Sequence, residues 1–174
     1  MKTIIKFCVF ILTLSLFSSC ATSRAVKKAD ADTKIWRYEL TGEGTGAAGT
    51  YLVKVWSYSK KPQVAKEQSK KNAVHGIIFK GFTSTKRGIS AQKALAKDAN
   101  IEQENEQFFT RFFAAGGDYL KYVNLTNDGL VAAGDLLKVS KKEYKVGVIV
   151  SVRKDALRKH LEKEGIIRGL STGF

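Results

Sequence analysis

The run Glu143–Val152, EYKVGVIVSV, constrains this chain more than any other segment. Its β-branched residues are stiff at χ1 and suit extended backbone. A strand that is apolar almost continuously must be covered on both faces, so a central place in a sheet is predicted. Other segments then have to flank it. Residues 35–40 (IWRYEL) alternate apolar and polar side chains, and residues 51–58 (YLVKVWSY) are rich in β-branched and aromatic types. Both read as strands, joined through the glycine-rich residues 41–50 as a hairpin with a long loop. Residues 119–125 and 135–140 read as two more strands.

Helical signals lie between these strands. Pro62, the only proline, suits the first turn of a helix over residues 63–78. Val64, Ala65, Ser69, Ala73, Ile77 and Ile78 would form a narrow face of small residues against the sheet. Residues 81–88 read as a polar loop. Helical material is predicted over 92–115, most strongly over 102–115, ending at Gly116-Gly117. A last amphipathic helix over 155–164 turns Leu157 and Leu161 inward and stops at Gly165. Strands and helices come in blocks. The expected fold is α+β, a single domain with a mostly antiparallel sheet and about three helices packed on one face.

The first residues set the compartment. Lys2 and Lys6 precede the apolar run 7–17, and Ser18-Ser19-Cys20 closes it with small residues. That is the order of a secretory signal, and the run is short for a membrane-spanning helix, which needs about 20 residues. The tetrapeptide Phe17-Ser18-Ser19-Cys20 resembles the lipobox of bacterial lipoproteins, with Phe17 where leucine is usual and Leu16 one place earlier. The resemblance implies cleavage before Cys20, a diacylglycerol on its sulfur and acylation of the new amine. It gives a signal over 1–19; lack of large aromatics and periodicity then reads as a flexible tether over 20–33, followed by a globular domain over 34–168 and a tail over 169–174. It also implies a membrane partner and an outer-membrane address facing the periplasm. Ala21 lacks the acidic character that retains some lipoproteins at the inner membrane. The basic Arg24, Lys27 and Lys28 differ from the acidic tethers that some bacteria use for surface display.

Charge and cysteine count narrow the function further. Net charge is +14, and +12 once Lys2 and Lys6 leave with the signal. Export argues against nucleic acid as partner, leaving lipid headgroups, wall polymers, lipopolysaccharide phosphates and acidic proteins. Cys8 leaves with the signal and Cys20 is lipidated, so the mature domain is expected to have neither disulfide nor thiol. The segment YKVGVIVSVRKDALRKHLEKEGI, with the Ala- and Lys-rich helix before it, resembles small periplasmic α+β domains of flagellar-accessory and curli-associated lipoproteins. That pattern covers about residues 50–165 and implies an accessory or assembly role.

Catalytic motifs find little support. G-x-G-x-x-G at 44–49 is followed by a strand, whereas a dinucleotide loop must open a helix. G-x-S-x-G at 169–173 stands at the end of the sequence, with no helix or histidine after it. His75 and His160 are the only histidines, and neither has a metal-ligand partner at i+4. Glu102, Glu104 and Glu106 suit an acidic first turn better than a catalytic carboxylate pair. No catalytic residue, cofactor or metal is therefore expected. Phe108, Phe109, Phe112 and Phe113 fall on one side of a helix, as core or as a partner surface. Trp36 and Trp56 could be core or a carbohydrate platform. The expected function is a non-enzymatic envelope lipoprotein that binds another protein or aids an assembly. The alternative is a module that binds an anionic envelope polymer through a basic surface.

Overall fold

A computed structural model describes residues 36–84 and 86–169, with Arg24 and residues 27–29 before them. Cys20, the signal, most of the tether, Ile35 and most of the G-x-S-x-G segment lie outside the described residues. Within the tether, Lys27, Lys28 and Ala29 are helical, and Ala29 is buried.

The fold is a single α+β domain. The elements run β1 (Tyr38–Thr45), β2 (Tyr51–Ser59), α1 (Pro62–Phe79), α2 (Ile101–Glu104), α3 (Glu106–Phe112), β3 (Val123–Leu125), β4 (Leu136–Ser140), β5 (Glu143–Val152) and α4 (Lys154–Lys163). The five strands make one antiparallel sheet in the order β1-β2-β5-β3. β4 pairs β5 at residues 143–146, and β3 pairs it at 150–152, so both share the far side of β5. The apolar run of β5 is thus central, as predicted.

Strand periodicity sorts side chains between the faces. Val53, Val55, Ser57 and Ser59 of β2 point to the core, as do Val146, Val148, Val150 and Val152 of β5. α1 lies across this face and buries Val64, Ala65, Ser69, Ala73, Ile77 and Ile78. Leu157 and Leu161 of α4 close the core. Each fully buried Val, Leu or Ile side chain contributes roughly 1.5–3 kcal/mol. The close approach of α1 carries its own polar bonds: the Asn72 side-chain amide donates to Ser57 Oγ at 2.9 Å, and the Ser69 hydroxyl donates to the Ala65 carbonyl at 3.0 Å.

Several local expectations are corrected. β1 runs on through the glycine-rich segment to Thr45, so the hairpin loop is short. Gly42 permits this, because a Cβ there would stand 2.9 Å from Ile89 and 3.0 Å from Phe82, which cross over the strand. The helix predicted over 102–115 breaks at Asn105 and ends at Phe112. The Asn105 side chain donates to the Ile101 carbonyl at 2.9 Å, a side-chain bond that competes with helical pairing. Residues 92–100 are not helical. Of the strand predicted over 119–125, only Val123–Leu125 is extended, and Asp118–Tyr122 is a 3-10 helix. α1 is buried around most of its circumference, adding Gln68, Lys71, Asn72, Val74 and His75 to the expected face. Neighbours outside the sheet, including residues 95–96, which bond Ile77 and Ile78 carbonyls, cover its other sides.

Candidate functional site

The two edges of the sheet differ. Along β1, the Gly42 amide donates to the Thr83 carbonyl at 2.8 Å, and the Ser84 hydroxyl donates to the Gly42 carbonyl at 3.0 Å. That edge is covered by its own chain. β4 pairs only with β5 among the described residues, and all five of its residues are exposed. Leu136, Leu137 and Val139 are 45, 44 and 50% exposed, with Leu136 and Leu137 on opposite faces of the strand. An open edge of this kind is a template for pairing with another chain.

The charges beside β4 are uneven. Its acidic neighbours are engaged: Glu143 with Arg37 at 2.8 Å, Asp135 with Lys54 at 2.9 Å, and Glu39 with Lys145 at 2.8 Å. Bonds from Lys145 and the Tyr58 hydroxyl hold the Glu39 carboxyl below its ordinary pKa. Lys138, Lys141 and Lys142 make no salt bridge among the described residues. The β4–β5 turn therefore carries unpaired positive charge next to exposed apolar side chains.

A second constellation surrounds His75, which is 3% exposed. The Tyr38 hydroxyl donates to His75 Nδ1 at 2.6 Å, and Nε2–H donates to Glu102 Oε1 at 3.2 Å. This assignment satisfies both ring nitrogens with a neutral imidazole. Trp36 stacks on the ring with centroids 3.6 Å apart, and Phe79 and Phe113 pack around it. Burial, with the Glu102 charge added, raises the Tyr38 pKa far above its ordinary value, so the phenol keeps its proton. Burial also lowers the His75 pKa, outweighing the Glu102 hydrogen bond and charge, with the Lys80 charge acting in the same sense as burial. Three elements, β1, α1 and α2, are tied together here.

That lowered pKa has a measurable sign. Unfolded His75 takes up a proton near its ordinary value of about 6.5, and the folded ring does so only at lower pH. Stability is therefore expected to fall as pH drops below about 6.5, by at most about 1.4 kcal/mol per pH unit from this group. Thermal unfolding at pH 7.5 and 5.5 tests it, with His75→Gln alongside. If wild type and variant lose stability in parallel, His75 is not the source.

The remaining residues fall out as follows. Phe109, Phe112 and Phe113 are buried in the core and Phe108 is half-buried against it. The partner-surface alternative for the four is thus corrected, because α3 turns them inward. His160 of α4 packs among Phe108, Phe112 and Tyr122, and its buried Nε2 has no hydrogen-bond partner among the described residues. Trp36 lies with His75 on the α1 side, whereas Trp56 lies on the other face beneath Lys145, whose ammonium stands 5.0 Å from its ring. The two tryptophans form no common platform. The 44–49 glycines shape the end of β1 and its turn into β2. Among the described residues no group of three or more His, Cys, Asp or Glu could hold a metal, and no helix is long and apolar enough to cross a membrane.

Sequence reasoning missed the Tyr38–His75–Glu102 chain and the openness of β4. The alternating LLKVS pattern marked a strand but carried no sign of which side would be paired.

No protein-family model, no curated protein and no solved structure matches this chain.

Proposed function

We propose that this chain is a non-catalytic binding module of the cell envelope that takes an extended, acidic segment of a partner protein onto β4. The observation that carries the reading is the uncovered β4 edge with Leu136, Leu137 and Val139 exposed on it. Added strands gain affinity from main-chain hydrogen bonds and specificity from alternate side chains. Charge selects the occupant. A second copy of this chain would bring Lys138, Lys141 and Lys142 close to the same lysines, whereas an acidic segment neutralises them. The bulge between Lys138 and Ser140 also discourages edge-to-edge pairing of identical copies. Lipidation at Cys20 and an outer-membrane address on the periplasmic side belong to the same proposal; the first rests on residues 1–20 and the second on Ala21, Arg24, Lys27 and Lys28.

The test uses three probes: a peptide alternating glutamate and valine, its lysine counterpart, and dextran sulfate. The acidic peptide is expected to bind, weaken as salt rises, and slow amide hydrogen exchange in β4. A triple reversal of Lys138, Lys141 and Lys142 to Glu should weaken it by roughly tenfold or more. Equal binding of the lysine peptide would overturn the proposal. So would dextran sulfate binding as tightly as the peptide without protecting β4, which would favour an anionic envelope polymer. Concentration-dependent dimers that bury β4 would replace the partner with a second copy.

A further inference from the structure

We infer that the groove between β1 and residues 80–93 is a binding site for a small organic anion with an apolar body, such as an aromatic or short acyl carboxylate. It lies at the opposite edge of the sheet from β4 and is independent of the reading given for that strand. The cavity measures about 490 Å³, within the range of small-molecule sites. Tyr38, Leu40 and Phe82 give it an apolar floor, and Lys80 and Lys93 stand among its walls.

Charge complementarity selects the ligand. No acidic residue lines the cavity, and neither lysine makes a salt bridge among the described residues. The nearest influence is Glu102, whose charge reaches Lys80 but whose carboxylate accepts from His75 and is not part of the lining. The Lys80 ammonium stands 4.0 Å over the Tyr38 ring and covers that face, so a carboxylate meeting it would lay its apolar body along Leu40 and the floor beside the ring.

The walls are built rather than loose. Phe82 and Gln92 exchange backbone hydrogen bonds of 2.9 and 2.8 Å, and the Tyr51 hydroxyl donates to Gln92 Oε1 at 2.8 Å. The Leu95 and Ala96 amides anchor the strip to the Ile77 and Ile78 carbonyls of α1. A site held this way spends little ordering free energy on its ligand.

The probe is 8-anilinonaphthalene-1-sulfonate, an aromatic body with one anionic group, titrated into the folded domain by fluorescence. One saturable site is expected, with amide NMR shifts concentrated at residues 80–83 and 91–93. The neutral analogue N-phenyl-1-naphthylamine should bind at least tenfold more weakly. Lys80→Gln should weaken the sulfonate by about tenfold and Lys93→Gln by less. Competition by benzoate against octanoate then tells an aromatic ligand from an acyl one. Equal affinity for the neutral dye, shifts centred elsewhere, or no loss in either lysine variant would overturn the site. The NMR map is made on the wild-type protein, so it decides even if a variant fails to fold. Loss of the acidic-peptide binding at β4 would leave this result untouched.

Discussion

A Cys20→Ser variant is expected to carry none of the acyl chains proposed for the wild-type protein, and to lose the durable membrane hold they would give. In the proposed reading the Cys20 thiol is the nucleophile that would accept a diacylglycerol, and serine does not substitute for it. Each acyl methylene buried in the bilayer contributes about 0.8 kcal/mol, so several chains anchor a protein where one holds only reversibly. Residues 21–33 (ATSRAVKKADADT) supply no large apolar face to replace them. The measurement is mass spectrometry of the tryptic peptide from residue 20 to Arg24, which isolates the modification from the rest of the chain. In the wild type this peptide should carry the acyl mass; in the variant the matching tryptic peptide, residues 7–24 where the signal stays uncleaved, should carry none. The variant should move to the soluble phase only where another peptidase removes its signal. An unmodified Cys20 in the wild type, or cleavage at another bond, would sink the lipoprotein reading, while leaving the β4 and groove proposals to their own tests.

The second large effect is expected at Gly81. This residue ends α1 with φ +70°, where its amide bonds the Gly76 carbonyl at 2.8 Å. An added Cβ would stand 2.2 Å from the Gln92 carbonyl oxygen and 2.8 Å from the Ala94 amide nitrogen. Both contacts are with backbone, so no side chain can swing aside. Gly81→Ala must displace either the end of α1 or the strip at 92–96 that covers it, and the groove wall moves with that strip. A loss of roughly 2–4 kcal/mol is expected. Gly88 is the control: its φ is +83°, but nothing lies within 4 Å of its Cβ position. Gly88→Ala should cost only the left-handed backbone term, about 1–2 kcal/mol. Urea unfolding of the two variants compares them directly. If Gly81→Ala is no worse than Gly88→Ala, the backbone clash is absorbed and the tight packing of residues 92–94 is not what holds the helix end.

Much of the scaffold was legible because it rests on local periodicity. EYKVGVIVSV places a strand in the centre of a sheet, paired along both edges, although only the face of Val146, Val148, Val150 and Val152 lies in the core while Lys145, Ile149 and Ser151 are half-buried on the other. Leu157 and Leu161 mark the inner side of α4 by helical spacing, and Pro62 marks the start of α1. Residues 119–125 misled for the same reason. The aromatic and β-branched residues of YLKYVNL suit a strand, yet β5 ends at Val152, opposite Val123, and α4 starts at Lys154, so residues 119–122 have no strand to pair with. Phe108 to Phe113 could be placed on a helix face but not on a side of the molecule.

By itself, the sequence determined the α+β class, the central strand and the cores of α1 and α4. These follow from side-chain period and β-branching, both of them local. Only the tertiary structure decided that His75 is buried between Tyr38 and Glu102, 37 residues before it and 27 after it in the chain. It alone decided that β1 is covered while β4 is open, and that Lys80 and Lys93 share one groove without an acid. Those features depend on which distant backbone groups find each other. Many pairings satisfy the same local pattern, and only the packed fold selects one.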